Sequence, residues 1–213
     1  MPAVLARSAD VQRASGVPLR IHCCQSLYEM ETVFARRGTT SLGWLVQMGL
    51  LTERAILPHG IYLSDHPQIR ATGEDDRQRL LSSDATIAHC PVVFGRDGEF
   101  LNFLSAYRRA AIRMGMGTDT HPCDMIENIR VGRALNAVAE GGPTASAADF
   151  YTAATIGGAD ALGRSDLGRL APGTMADIAV FDLTGLHLGP VEDPLHALTL
   201  AGTSGPSGWE GVS

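Results

Sequence analysis

Four residues able to bind a metal or move a proton recur along this chain at near-regular intervals. His22, His59, His89 and Asp119 are separated by 37, 30 and 30 positions. Imidazole and carboxylate both serve as ligands for a divalent ion such as zinc, and imidazole exchanges its proton near neutral pH. A single histidine of this kind is structural or incidental by default. Four metal- or proton-competent residues in phase form a pattern that asks for a common cause.

The elements that would carry them supply that cause. Each of the four closes a short apolar run: GVPLRIH ends at His22, RAILPH at His59, ATIAH at His89 and IRMGMGTD at Asp119. Between them lie stretches with apolar residues at helical spacing, namely SLYEMETVFARRG, SLGWLVQMGLL, DDRQRLLSS, EFLNFLSAYRRAAIR and DMIENIRVGRALNAVAE. Strand and helix therefore alternate, which predicts an α/β fold with a parallel sheet covered by helices. A strand–helix unit of a (β/α)8 barrel occupies about 30 residues, since eight fill roughly 250. Parallel strands all point one way, so the four residues are expected together on the C-terminal rim, where barrel enzymes keep their chemistry. Beyond them, SAADFYTAATIGGADALG reads as a helix, MADIAVFDL alternates like a strand, and AGTSGPSGWEGVS reads as a flexible tail.

Bulk composition narrows the function classes. The chain has 213 residues, 45% hydrophobic and 19% charged, with a formal net charge of −6. Lys and Arg are not gathered into a stripe, which argues against nucleic acid and anionic membranes as partners. No apolar run is long enough for a bilayer span, and the opening MPAVLARSADVQRASG has no signal-like core. Four cysteines in a chain this long are not a disulfide framework, so a cytoplasmic protein with reduced thiols is expected.

The segments RIHCCQS, LPHGIYLSD, IAHCPVV, GMGTDTHPCDM and AATIGGADALG…DLGRLAPGTMADIAVFDL together resemble the metal-dependent amidohydrolase superfamily. The match is to its cytosine/guanine deaminase and triazine chlorohydrolase (ethylammeline chlorohydrolase-like) branch, over about residues 15–201. That resemblance implies a divalent metal, zinc or in some relatives iron, with His22 and Asp119 as ligands. It makes His59 the residue that orients the attacking water and Asp119 the one that takes its proton. Gln25 and His89 would contact the substrate. The implied reaction removes an amino, alkylamino or halide group from a small N-heterocycle by metal-activated water; whether the chain self-associates is left open.

Two departures qualify the expectation. The family's first-strand His-x-His pair is absent from this sequence. The chain is accordingly expected to be the C-terminal half of a (β/α)8 barrel, strands five to eight, plus part of an appended β-sandwich. The division is 1–165 for the partial barrel, 166–201 for the sandwich segment and 202–213 for the tail. The alternative is a non-catalytic fragment of such an enzyme. Second, many relatives have a proton-carrying Glu where this chain has Gln25, which can hydrogen-bond a ring but not release a proton; Glu29 is a weak substitute. Adjacent Cys23 and Cys24 on an extended strand would diverge and fail to chelate one ion. Cys90 and Cys123 are expected to be plain thiols, His66 a surface loop residue, and His187 and His196 packing residues.

Overall fold

The computed structural model describes residues 2–70, 72–101, 104–202 and 209–212, with Pro2 and the last four in backbone only. In chain order the elements are α1 (Pro2–Ser15), β1 (Leu19–Arg20), α2 (Leu27–Arg37), α3 (Ser41–Gln47), β2 (Ala55–Pro58), α4 (Asp76–Ser83) and β3 (Thr86–His89). There follow α5 (Pro91–Gly95), α6 (Leu104–Arg109), β4 (Arg113–Met116), α7 (Met125–Ala139) and α8 (Ala147–Thr152). A π-helical turn (Ala153–Gly157) leads into α9 (Gly158–Ala161), then come β5 (Ile178–Phe181), a 3-10 turn (Leu186–Leu188), α10 (Pro194–Ala201) and β6 (Trp209–Val212).

Two compact units divide these elements. The first spans Met1–His89, Ser105–Met114 and Ala161–Gly163; the second spans Cys90–Leu104, Gly115–Asp160 and Arg164–Ser213.

The first unit is built on the sheet, whose order is β1-β2-β3-β4. β1 and β2 pair in parallel with Leu19 opposite Ala55, and β2 and β3 in parallel with Leu57 opposite Ile87. Leu57 and Ile87 are fully buried, as expected of parallel strands covered on both faces. Leu42, Leu50, Leu63 and Leu80 complete this core. Three of its helices start where a side chain accepts an otherwise unpaired N–H: Ser26 for α2, Thr40 for α3 and Asp75 for α4. A buried polar cluster joins α3 and α4. Asp76 accepts from Thr40 Oγ1 at 2.6 Å, from Ser64 N at 2.9 Å and from Arg79 at 2.9 Å, and Arg79 also pairs with Glu74.

In the second unit α7 lies against α5 and α10, with Ile126, Ile129, Phe150 and Leu198 buried. Asp124 caps α7, and Ser146 with Asp149 forms a reciprocal capping box at α8. β5 pairs antiparallel with β6, Phe181 opposite Trp209. Part of the tail read as flexible is therefore a strand; residues 203–208 and 213 lie outside the described residues.

Three other differences from the sequence expectation have local causes. The helix expected over 99–113 is described only as Leu104–Arg109, because Ala111 takes φ 59 and Arg113 already opens β4. The helix expected over 146–163 is interrupted by the π-helical turn. α1 was not anticipated, since its buried stripe is Leu5, Ala9 and Gln12, two of which carry little hydrophobic signal.

Candidate functional site

Four of the expected site residues, His22, Gln25, His59 and His89, belong to the first unit, and the three histidines lie at or just beyond the ends of neighbouring strands. β2 stops at Pro58, and the next residue, His59, donates its backbone N–H to Ala88 O at 3.0 Å. On its other side His59 forms a parallel bridge with Cys23, supported by Gly60 N to Cys23 O at 3.2 Å and Tyr62 N to Cys24 O at 2.9 Å. The ends of β1 and β2 are thereby tied by backbone bonds beyond the regular ladder. The imidazoles of His22 and His59 face each other with centroids 5.1 Å apart, tilted by 50°, and offer ring nitrogens within 4.8 Å. His22 is exposed while His59 and His89 are buried. Burial pushes the His89 imidazole down to about 4, and neighbouring His59 acts in the same direction. His89 is thus neutral at physiological pH, able to donate or accept one hydrogen bond but not to carry a charge.

The turn after His59 demands a specific backbone. His59 has φ 79 and Gly60 φ 59. A Cβ on Gly60 would meet Ile87 Cδ1 at 2.8 Å, so a side chain there would crowd the core over β3, and glycine adopts this φ without strain. Asp119 shows the same left-handed conformation, φ 58, in the second unit. It is exposed and follows β4 by three residues. Positive φ at residues bearing a Cβ is strained and clusters at functional positions; of the five such residues among those described, Cys24, His59 and Asp119 follow strand ends.

The cysteine pair corrects one expectation. Cys23 and Cys24 do not diverge: their Sγ atoms are 3.6 Å apart. The cause is Cys24, whose φ of 56 breaks the extended chain and swings both thiols to one side. With the Glu29 carboxylate they make a second cluster of donors within 4.8 Å. The hydrogen bond from Cys23 and burial hold the Cys24 thiol well above its ordinary range. Both Glu29 oxygens are engaged, accepting from Cys24 N at 2.8 Å and Gln25 N at 2.9 Å. Glu29 is thereby tied to the backbone of the turn that precedes α2. The exposed His22 imidazole, facing the ring of His59, offers a nitrogen donor of the kind zinc takes.

His66 is a further correction. It is buried rather than a surface residue, its ring centroid 4.6 Å from that of Tyr62 and tilted by 60°, and it accepts from Gln68 N at 3.3 Å through Nδ1. His187 and His196 are exposed, and His196 Nδ1 meets Arg133 of α7 at 3.4 Å.

One residue of the second unit escaped the sequence. Asn128 is fully buried in α7, accepts from Val92 N at 3.3 Å and donates to Asp124 O at 2.8 Å. Val92 lies in the first turn of α5, whose N-cap Cys90 makes no side-chain cap. Asn128 supplies that cap from another helix and so ties the segment after His89 to the segment after Asp119. Gly117 assists, since a Cβ there would sit 3.1 Å from Cys90 Sγ. The available signal was Asn128, Gly132 and Asn136 at intervals of four on the buried side of α7.

Several known proteins are similar to this chain in sequence and structure. A 5-methylthioadenosine/S-adenosylhomocysteine deaminase of Pyrococcus abyssi is 31% identical over 190 residues, covering 87% of this chain and 42% of that protein. A hydroxydechloroatrazine ethylaminohydrolase of Pseudomonas sp. strain ADP is 32% identical over 213 residues, covering 96% of this chain and 42% of the relative. The chain thus spans less than half the length of these relatives. The crystal structure of atrazine chlorohydrolase from Arthrobacter aurescens TC1, complexed with zinc, superposes with a TM-score of 0.82 at 25% identity, over 95% of this chain and 44% of that one. A sequence model of the amidohydrolase family matches residues 2–205. The chain belongs to the amidohydrolase family.

Proposed function

We propose that this chain is the C-terminal half of a metal-dependent amidohydrolase barrel, with part of the appended β-sandwich over 166–201, that hydrolyses a C–N or C–Cl bond on a purine, pyrimidine, pterin or triazine ring. The observation that carries the reading is the His22–His59 imidazole pair at the ends of adjacent parallel strands. It occurs in a chain whose relatives are deaminases and triazine hydrolases. His22 and Asp119 are the residues assigned to hold the metal, zinc by the donor set, which when bound lowers the pKa of a water toward neutrality. His59 hydrogen-bonds the attacking water and fixes its direction toward the ring carbon. Asp119 takes the proton from that water and passes it to the departing amine, a transfer within the reach of a positioned carboxylate. His89, neutral, lines the substrate pocket as a hydrogen-bonding group. Gln25 hydrogen-bonds a ring nitrogen without protonating it. Cytoplasmic residence suits the adjacent thiols of Cys23 and Cys24.

The test is product release by the purified full chain supplied with zinc and offered 5′-methylthioadenosine, hydroxyatrazine and atrazine. Ammonia, ethylamine or chloride is expected from at least one, and its loss in Asp119→Asn. A folded, zinc-bound chain that releases none of the three would overturn the catalytic reading in favour of a non-catalytic fragment.

A further inference from the structure

Glu29 lies one helical turn beyond Gln25 and is not a member of the proposed catalytic set, yet its carboxylate is fully employed. Oε1 accepts from Cys24 N at 2.8 Å and Oε2 from Gln25 N at 2.9 Å. Two successive backbone N–H groups converge on one carboxylate, the arrangement by which a backbone turn holds an anion. This turn needs holding, because Cys24 sits at φ 56, a conformation that residues with a Cβ seldom adopt.

An ordinary helix cap does not account for the contact. In a capping box the acidic residue at the third helical position returns to the N–H of the N-cap itself. The Ser146–Asp149 box at α8 does this. At α2 the N-cap is Ser26, which accepts from Glu29 N at 3.2 Å, while the Glu29 carboxylate reaches past it to the two residues before. From the opposite side the same peptide is bonded to the end of β2: Cys23 N donates to Pro58 O at 3.4 Å, Gly60 N to Cys23 O and Tyr62 N to Cys24 O. The Cys23–Gln25 turn is therefore fixed between α2 and the His59 loop, with His22 at one end and Gln25 at the other.

We infer that Glu29 is a positioning residue: its carboxylate clamps the Cys24–Gln25 turn and thereby sets His22 against His59 and aims Gln25. The inference rests on the assignment of His22 as a metal ligand, and its test keeps the two separable. Zinc affinity of the full chain is measured by chelator competition for the wild type, Glu29→Gln, His22→Ala and Ser146→Ala. Amide exchange at Cys24 and Gln25 and the His22 imidazole resonance are recorded on the metal-free chains. Glu29→Gln is expected to weaken zinc by about 10–100-fold, as loss of a group that orients a ligand does, with faster exchange at both amides and a shifted His22 resonance. Ser146→Ala loses a cap of α8, lowers the melting temperature and leaves zinc affinity unchanged. Should Glu29→Gln not fold, Glu29→Asp, whose shorter side chain spans only one of the two N–H groups, replaces it under the same expectations. Wild-type zinc affinity in the Glu29 variant, with zinc lost from His22→Ala, overturns the positioning role. If His22→Ala keeps its zinc, the ligand assignment fails, and an unchanged His22 resonance in the Glu29 variant then overturns the clamp on its own.

Discussion

His59 and Asp119 share a backbone conformation, φ 79 and φ 58, that costs of order 1–3 kcal/mol for a residue with a Cβ and persists only where the surroundings enforce it. At His59 the enforcement is visible: Ala88 O on one side, Cys23 on the other, and Gly60 folded over Ile87. Gly60→Ala is expected to lower unfolding stability by about 1–3 kcal/mol, the usual penalty for overpacking. Chemical denaturation checks it, and an unchanged midpoint would show that the turn is not tightly held. Asp76 gives a pH-dependent consequence. Burial pushes its carboxyl up to about 6, against the hydrogen bonds from Thr40 and Ser64 that pull it down. A raised carboxyl pKa means the folded chain binds this proton more tightly than the unfolded one. Its contribution to stability is therefore complete below the unfolded value near 3.8 and is lost as pH rises through about 6. Asp76→Asn is expected to flatten the stability profile between pH 4 and 7, read by thermal melts across that range.

Elements explain what could be read from the sequence and what could not. The strands ending at His59 and His89 were legible because Ala55–Pro58 and Thr86–His89 are short apolar runs bounded by polar residues, the mark of a strand buried on both faces. The strand before His22 proved shorter, Leu19–Arg20, because its pairing continues only as the isolated bridge at Cys23. Nothing in the letters HCCQ reveals that Cys24 turns left-handed, so neither the approach of the two thiols nor the Glu29 clamp could be foreseen. Asn128 was missed for a related reason: a polar residue in a helix reads as solvated until the partner it caps is known. Asn128→Ala leaves Val92 N–H buried without its acceptor. It is expected to cost about 1–3 kcal/mol, the penalty for an unsatisfied buried group. Faster amide exchange at Val92 is the accompanying sign, and an unchanged exchange rate would deny Asn128 its capping role.

At the scale of the whole molecule, the family was legible from five segments spread through the chain, and the match over residues 2–205 bears it out. The α/β character with a parallel sheet was equally legible, because strand and helix alternate through the first 140 residues. The substrate was not, since the groups that would select one ring over another leave no spacing rule in a single sequence. Among the described residues no helix is long and apolar enough to cross a membrane. A metal that binds the folded chain and not the unfolded one must raise its melting temperature by mass action. The most direct test of the account is a zinc titration of the full chain beside His22→Ala and Asp119→Ala. One zinc per chain is predicted for the wild type, weakened in each variant by more than the roughly 100-fold that loss of an outer-shell partner can cost. Wild-type affinity in both variants would contradict the claim that His22 and Asp119 hold the metal.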